Sequence, residues 1–470
     1  MNPTFFFYDL ETFGLNPKED RIAQFAGIRT DENFNIIGEP INIYCQPPED
    51  YIPDPGAILI TGITPTEALE KGIPEPAFAS RIHEEFSVPN TCILGYNSIR
   101  FDDEMIRYLF YRNFIDPYAY SWQNSNSRWD LLDVVRATHS FRPEGIHWPV
   151  DEHGVVSLKL ENLSKANNLL HEKAHDALSD VYATIGMAKL IKEKQPRLFD
   201  YYFQHRRARD LNNLIDLRQL SPILHVSGMF GMARNNLSMI MPILFSPHNK
   251  NELVTIDLMG DISPILELDV ETLKTRMYSS KEELGDNIRP PVKGIHLNKC
   301  PILAPVSLLK TMPKNTSVDS TLCYQNYETL LASRDLIQSK LFEVYAMPRP
   351  FDEISHSEPV ESLLYQGFFE RKDRQQMDRI PHLNGEELMA YDFYFDDPRL
   401  EPLLFIYRAR NFFETLFEDE QEEWKRYMLM KREYFKAKYQ QSFKDLLEVA
   451  KENNNEAQIE LLLSIETLYL

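Results

Sequence analysis

The strongest constraint in this chain is an apolar run near its start that ends in two carboxylates. Residues 5–8 read Phe-Phe-Phe-Tyr and predict a buried strand, which then carries Asp9 and Glu11 and stops near Gly14. Residues two apart on a strand point to the same side, so both carboxylates should lie together at the strand exit. Carboxylates held that close repel each other unless a cation lies between them. The pair therefore indicates a site for a hard divalent ion with oxygen ligands.

Two later segments supply further candidates, which matters because an acid-rich chain shows such pairs by chance. Asp102 follows the apolar residues 92–94 and begins a predicted helix, where Asp103 fits the role of a carboxylate that stabilises the helix dipole. His175 and Asp180 flank the start of another predicted helix. Five residues on one helix are about 140° out of phase. His175 should therefore lie on the preceding loop, while Asp180 projects from the second turn.

In chain order these residues form the series Asp-x-Glu, Asn-x-x-x-Phe-Asp and His-x-x-x-x-Asp, which resembles the DEDD exonucleases of the histidine subtype. Longer stretches are similar to the bacterial exodeoxyribonuclease I family, and the likeness spans nearly the whole chain. These stretches are residues 8–14, 95–103, 126–133, 142–146, 225–231 and 407–412.

The chemistry of such a site begins with charge, because four carboxylates without metal would repel an anionic phosphodiester. Two divalent cations remove that obstacle: one activates a water and the other steadies the leaving 3′ oxygen. We expect Asp9 to bridge two Mg²⁺ ions, for which Mn²⁺ can substitute. Glu11 and Asp180 should complete the first site, and Asp102 should hold the second ion. His175 is then the general base, a role that suits a side chain titrating near neutrality.

The length of 470 residues predicts two or three domains. The resemblance implies an α/β architecture, with a ribonuclease-H-like exonuclease domain over residues 1–195. It further implies an SH3-like β domain over 196–350 and a C-terminal α-helical domain over 355–470. Independently of this resemblance, short apolar runs between residues 222 and 297 indicate a small antiparallel barrel or sheet.

The net charge of −21 argues against a protein that binds nucleic acid over its whole surface. A basic groove on an otherwise acidic molecule would reconcile this charge with a DNA substrate, while the alternative is that each arginine forms an ordinary surface ion pair. The arginines that we expect to gather around such a groove are Arg100, Arg107, Arg112, Arg128, Arg136, Arg142, Arg206, Arg207, Arg209, Arg408 and Arg410.

Aromatic residues indicate a single-stranded substrate, since unpaired bases stack on exposed rings. Trp122 and Trp129 are candidates for stacking, and Phe13 could wedge against the terminal base. About 12% of the chain is aromatic, so any of these rings can equally belong to a core. The residues that we expect to contact DNA are Phe13, Thr12, Asn97, Arg128, Trp122 and Trp129.

The resemblance also implies a protein partner, because the family docks the acidic C-terminal tail of single-stranded DNA-binding protein. Arg142 and Tyr201 match positions suited to a carboxylate and an apolar side chain. Four widely separated cysteines predict neither structural zinc nor disulfides. We expect neither a signal peptide nor a membrane-spanning segment. A monomer in the cytoplasm is expected.

We therefore predict a magnesium-dependent 3′-to-5′ exodeoxyribonuclease that degrades single-stranded DNA processively to 5′-mononucleotides, in DNA repair and recombination. The direction, the DNA preference and the processivity are implied by the resemblance. Two alternatives stay open. One is an RNA-trimming or proofreading exonuclease of the same superfamily, and the other is a catalytically silent DNA-binding protein.

Overall fold

The computed structural model of the protein describes residues 3–169, 177–312, 317–348 and 358–469. The strands are β1 (Thr4–Thr12), β2 (Ile22–Thr30), β3 (Ile41–Tyr44), β4 (Thr91–Gly95), β5 (Ser127–Asp130), β6 (Ile223–Val226), β7 (Leu237–Phe245), β8 (Glu252–Asp257), β9 (Val292–His296) and β10 (Ile302–Pro305).

The first nine α-helices are α1 (Pro55–Thr61), α2 (Pro65–Lys71), α3 (Glu75–Phe86), α4 (Asp102–Arg112), α5 (Leu131–Phe141), α6 (Leu160–Ala166), α7 (Ala177–Lys194), α8 (Pro196–Gln204) and α9 (Ala208–Leu211). The later helices are α10 (Ser263–Glu267), α11 (Val270–Tyr278), α12 (Lys281–Leu284), α13 (Ser320–Ala332), α14 (Arg334–Ala346), α15 (Arg371–Met377), α16 (Gly385–Ala390), α17 (Leu400–Asn411), α18 (Glu418–Glu452) and α19 (Glu456–Ser464). Within the described residues, none of these helices combines the length and apolar character needed to cross a bilayer.

Contacts divide the chain into two compact units. The first unit joins residues 1–127 and 170–185 to the C-terminal segment 356–470, and the second contains 128–169 and 186–355. A mixed α/β part, an antiparallel sheet and a helical C-terminal segment follow one another in the predicted order. The three predicted domain boundaries stay predictions, because the compact units group the chain differently.

The first unit is built around a five-stranded sheet with the order β3-β2-β1-β4-β5. The unit boundary falls after the first residue of the edge strand β5. β1 is the central strand, antiparallel to β2 and parallel to β4. Its aromatic residues explain that position, because Phe5, Phe6, Phe7 and Tyr8 are all buried and so require cover on both faces. Residues of α3 and α4 supply one layer of this cover.

The second unit holds a five-stranded sheet with the order β10-β6-β7-β8-β9. All of its neighbouring strands are antiparallel, as the short apolar runs predicted. Side chains on one face of this sheet form a hydrophobic core, because alternate residues of a strand point to the same face. This core includes Ile223, Ile240, Leu253, Ile295 and Leu303.

The C-terminal segment of the first unit is helical, and it completes a core that begins in the first fifty residues. α18 is 35 residues long. Its residues Phe435, Tyr439 and Phe443 pack in one cluster with Phe13 and Tyr51. The turn that follows β1 is therefore covered by side chains from more than 400 positions later in the chain.

Candidate active site

The predicted carboxylates Asp9 and Glu11 lie at the C-terminal end of β1, on the same side of the strand. The parallel pairing with β4 spans only Thr4–Phe7 of β1, so both carboxylates extend beyond it. Both side chains are partly buried, and they alternate along β1 with the buried residues Tyr8, Leu10 and Thr12. Clefts beyond the carboxyl ends of parallel strands are common ligand sites in α/β sheets.

Asp180 reaches the same place from the first turn of α7, one turn earlier than the sequence predicted. The structure brings one carboxylate oxygen from each of Asp9, Glu11 and Asp180 within 4.8 Å of one another. This distance suits a shared cation and is unfavourable for three bare negative charges. The sequence prediction that these three residues converge is therefore matched by the geometry.

Asp102 is the first residue of α4 and is 7% exposed. The tight turn before it needs Gly95 and Asn97: a Cβ on Gly95 would lie 2.7 Å from the carbonyl oxygen of Tyr8, and Asn97 has a φ of 65°. The neighbouring Asp103 does more than complement the helix dipole, because its carboxylate contacts the Tyr120 hydroxyl and lies 3.4 Å from Arg107 Nε.

The four carboxylates form one electrostatic unit. Burial raises the pKa of Asp9 well above its usual range, and the charges of Asp102, Asp180 and Glu11 raise it further. A carboxyl in this position is held ionised most easily by a nearby cation. The arrangement therefore fits hard divalent ions, which take carboxylate oxygens as ligands and can act on phosphate oxygens.

The fifth predicted catalytic residue, His175, lies outside the described residues.

The residues predicted to stack on DNA bases have different surroundings. Trp122 is 62% exposed and offers its ring to solvent. Phe13 is 0% exposed, inside the core that includes Tyr439, and Trp129 is 1% exposed. Trp129 packs edge-on against Phe199 and Phe203, with ring centroids 5.1 and 5.4 Å away. The buried rings present no face to a base, so we withdraw Phe13 and Trp129 as stacking residues.

The other residues predicted to contact DNA are polar, and they also divide into exposed and buried side chains. Asn97 is exposed in the turn before α4. Thr12 is 6% exposed, and its hydroxyl donates to the Gly14 carbonyl over 2.8 Å. Arg128 is 9% exposed and donates from Nη2 to the Asn298 carbonyl over 2.8 Å. The Thr12 and Arg128 side chains are therefore already hydrogen-bonded within the protein, whether or not they also contact DNA.

Four of the arginines expected around a basic groove form ion pairs with acidic residues of the first unit, which is the alternative that the sequence left open. Arg112 and Arg410 pair with buried carboxylates, at 3.3 Å from Glu75 and 2.7 Å from Asp50. The other two are Arg107, which pairs with Asp103 and Glu104, and Arg408, which pairs with Glu420. Charge along the sequence cannot separate such structural arginines from phosphate-binding ones.

Arg142 and Tyr201 line one cavity of about 600 Å³ in the second unit. Arg142 donates from Nη2 to the Thr311 hydroxyl over 2.7 Å. The aromatic ring of Tyr201 stacks on that of His205, with centroids 4.1 Å apart. Leu308 and Thr311 complete the wall from the segment after residue 305. Sequence reasoning missed these two residues, since no motif marks them.

Comparison with known families matches three parts of the chain. A family of exonucleases matches residues 6–188, the exonuclease I SH3-like domain matches 206–347, and the exonuclease I C-terminal domain matches 358–469. The chain is 51% identical to exodeoxyribonuclease I of Escherichia coli strain K12, over 95% of this chain and 93% of the relative. It is 48% identical to exodeoxyribonuclease I of Haemophilus influenzae, over 96% and 95%.

Solved structures agree over the full length. An E. coli exonuclease I complex with a dA16 oligonucleotide superposes with a TM-score of 0.91 at 47% identity, covering 100% of both chains. An ExoI/SSB-Ct complex gives a TM-score of 0.92 at 46% identity, also over 100% of both chains. A zinc-bound E. coli ExoI–ssDNA complex gives 0.92 at 48% identity, over 99% of each.

Proposed function

Because the chain belongs to the exodeoxyribonuclease I family, we propose that it removes nucleotides from the 3′ end of single-stranded DNA and releases 5′-mononucleotides. The observation that carries this proposal is the convergence of Asp9, Glu11 and Asp180 within 4.8 Å. A catalytically silent relative would have no need to hold three like charges together at such a cost in repulsion. The three matched domains support functional boundaries near residues 1–195, 196–350 and 355–470.

Divalent metal ions are required by this site, and we propose two Mg²⁺ ions, with Mn²⁺ as a substitute. Asp9, Glu11 and Asp180 would hold the first ion, and Asp102 with Asp9 would hold the second. When bound, the ions supply positive charge to the phosphate oxygens and lower the pKa of a water. The burial of Asp102 and the partial burial of Asp9 limit competing water around the reacting phosphate.

The remaining chemistry falls to other side chains. His175 is proposed as the general base that accepts the proton of the attacking water. The exposed ring of Trp122 is proposed to stack on an unpaired base, and Asn97 to contact the strand near Asp102. Stacking by Trp122 requires an unpaired base, which supports a single-stranded substrate.

The experiment that tests this function uses one oligonucleotide sequence, labelled at its 3′ end, as single-stranded DNA, duplex DNA and RNA. We expect labelled mononucleotide from single-stranded DNA with Mg²⁺ and none with a chelator. Preferential release from RNA would instead indicate an RNA-trimming enzyme. Absence of release from every substrate would revive the silent DNA-binding protein.

We further propose that the enzyme works processively as a cytoplasmic monomer, in DNA repair and recombination. Further domains after the exonuclease domain can retain a strand between successive cuts. A strand labelled at its 5′ end, with an excess of unlabelled competitor DNA added after the first cut, would measure that retention. Continued shortening of the strand already engaged supports retention, and immediate arrest contradicts it.

The cavity around Arg142 and Tyr201 is proposed to bind the C-terminal tail of single-stranded DNA-binding protein. A terminal carboxylate would pair with the Arg142 guanidinium, and the last apolar side chain would enter beside Tyr201 and Leu308. The cavity lies within one compact unit, so it can form independently of the carboxylate cluster.

Arg142→Ala should weaken binding of a synthetic tail peptide by about thirtyfold, because a charge-assisted hydrogen bond worth ~2 kcal/mol is lost. Fluorescence anisotropy with a labelled peptide measures this change. The matched control is the same peptide with an amidated C-terminus, which should bind wild type as weakly as the acid peptide binds the variant. Unchanged affinity in the variant would contradict this placement.

A further inference from the structure

The turn between β1 and β2, residues 13–21, begins two positions after the metal-binding Glu11. The pairing of the two strands is irregular at this point: Glu11 faces Gln24 but Thr12 faces Ile22, so one residue of β2 is skipped. Such bulges change the direction of nearby side chains. The direction of the Glu11 carboxylate is therefore sensitive to how the β1–β2 turn is held.

A buried carboxyl group, Asp20, organises this turn from within. It is 2% exposed, and its Oδ2 accepts a hydrogen bond from the Asn16 backbone N–H over 2.8 Å. It also packs directly on Gly14, where a Cβ would lie 2.2 Å from the same oxygen. The backbone N–H of Phe13 closes the turn by donating to the Arg21 carbonyl over 2.9 Å. No sequence motif marks Asp20, and the sequence analysis missed it.

Two tyrosines connect Asp20 to the rest of the first unit. The hydroxyl of Tyr51 lies 2.9 Å from Asp20 Oδ1 and 3.1 Å from the Phe13 carbonyl oxygen. The hydroxyl of Tyr439, on α18, lies 3.4 Å from the same Oδ1. Burial raises the pKa of Asp20, and the hydrogen bonds from Asn16 and Tyr51 act against that rise. These contacts fix both ends of the β1–β2 turn.

A second contact of α18 to the turn is an ion pair of 2.6 Å between Lys438 and Glu19. Glu19 also accepts an exposed hydrogen bond from the Tyr434 hydroxyl over 3.1 Å, which adds little to that ion pair. The ring of Phe13 is buried in the cluster that Phe435 and Tyr439 help to form. Because Phe13 directly follows β1 and packs against residues of α18, the C-terminal end of β1 is held by the C-terminal helix.

We propose that Asp20 is a positioning residue for hydrolysis, and that Tyr51, together with Tyr439 of α18, fixes the turn that directs Glu11 to the metal ions. This inference rests on the proposed function. It gives the C-terminal segment a role in the chemistry itself, besides any retention of DNA. A substrate only three nucleotides long separates the two roles, because strand retention contributes little to its turnover.

The test compares Asp20→Asn, Tyr51→Phe and Tyr439→Phe with the matched control Tyr434→Phe. The control removes a hydroxyl from the same helix, but from an exposed contact to Glu19. Four quantities are measured for each full-length variant: kcat and KM on a single-stranded trinucleotide, the affinity for Mn²⁺ without DNA by electron paramagnetic resonance, and the thermal midpoint. The Mn²⁺ titration reports on the ligands independently of turnover.

We expect Asp20→Asn and Tyr51→Phe to lower kcat and to weaken Mn²⁺ binding by about tenfold each, as loss of an outer partner of metal ligands does. KM should stay within about twofold, because the substrate contacts are intact. Tyr439→Phe, which loses a longer hydrogen bond, should show the same pattern at about threefold. Tyr434→Phe should behave as wild type.

Wild-type kcat and Mn²⁺ affinity in Asp20→Asn and Tyr51→Phe, with only a lower thermal midpoint, would overturn the proposal. If Asp20→Asn does not fold, the two tyrosine variants decide the question on the same measurements. An inactive wild type would contradict the proposed function instead, and the Mn²⁺ affinities would still decide this inference.

Discussion

Asp9→Asn should abolish nucleotide release while making the metal-free protein more stable. The variant keeps the shape of the side chain but loses the charge at the centre of the carboxylate cluster. We expect kcat to fall at least about a thousandfold, which corresponds to ~4 kcal/mol of lost transition-state stabilisation. Burial and three neighbouring carboxylates raise the pKa of Asp9, so its charged form is unfavourable without metal. Removing that charge should therefore raise the thermal midpoint in the presence of a chelator.

Turnover of a labelled oligonucleotide and the thermal midpoint, each with and without Mg²⁺, measure both effects. Glu39→Gln is the matched control, since it removes an exposed carboxylate from the same unit. It should leave turnover and both midpoints unchanged. The account is contradicted if Asp9→Asn keeps more than about a tenth of the wild-type kcat, or if the chelated variant melts below the chelated wild type.

Glu361→Gln should lower the thermal midpoint by several degrees, because two buried guanidinium groups share its carboxylate. Arg21 and Arg410 each lie 3.0 Å from Glu361 Oε1, and all three side chains are at most 9% exposed. Loss of one partner from a buried ion pair costs roughly 3–5 kcal/mol of unfolding free energy. We expect the lower end, about 3 kcal/mol, since Arg410 also pairs with Asp50 at 2.7 Å.

The ion pairs of Glu361 also predict how the stability of the fold depends on pH. Burial alone would raise the pKa of Glu361, but the charges of Arg410 and Arg21 outweigh it and hold this pKa well below its usual range. The ionised group therefore stabilises the fold fully above the ordinary glutamate pKa of about 4.3, and this contribution is lost as the pH falls towards the folded pKa. The difference in thermal midpoint between wild type and Glu361→Gln should be constant at neutral pH and shrink under acid.

Glu358→Gln is the control for this pair, because the Glu358–Lys18 ion pair is 3.4 Å long and 34% and 48% exposed. An exposed pair contributes at most about 1 kcal/mol, so its midpoint should barely move. Equal losses in the two variants, or a difference that grows as the pH falls, would show that the buried network does not hold the C-terminal segment.

Local patterns along the chain predicted where the carboxylates lie, although their roles stay a prediction. Asp9 and Glu11 converge because alternate strand residues share a side, and Asp102 is placed by a glycine turn and a helix start that are both readable in sequence. The short apolar runs predicted between residues 222 and 297 correspond to β6, β7, β8 and β9 of the second sheet. Each of these features depends on neighbours within about ten residues.

The failures share one physical cause, which is contact between residues far apart in the chain. Phe13 looked like a wedge for a terminal base, but α18 buries it from more than 400 positions away. Arg410 looked like a phosphate ligand, but Asp50 and Glu361 surround it. Asp20 has no motif at all, because its role is set by Tyr51 and Tyr439. Sequence periodicity carries no information on such pairings.

The central claim is that separate parts of the chain bring four carboxylates together to hold two divalent ions at the 3′ end of a DNA strand. The most direct measurement is anomalous diffraction from crystals of the protein with Mn²⁺ and a non-hydrolysable single-stranded oligonucleotide. The account predicts two anomalous peaks, one within bonding distance of Asp9, Glu11 and Asp180, the other next to Asp9 and Asp102, with the terminal phosphate against both. Peaks remote from these oxygens, or none beside a bound strand end, would contradict it.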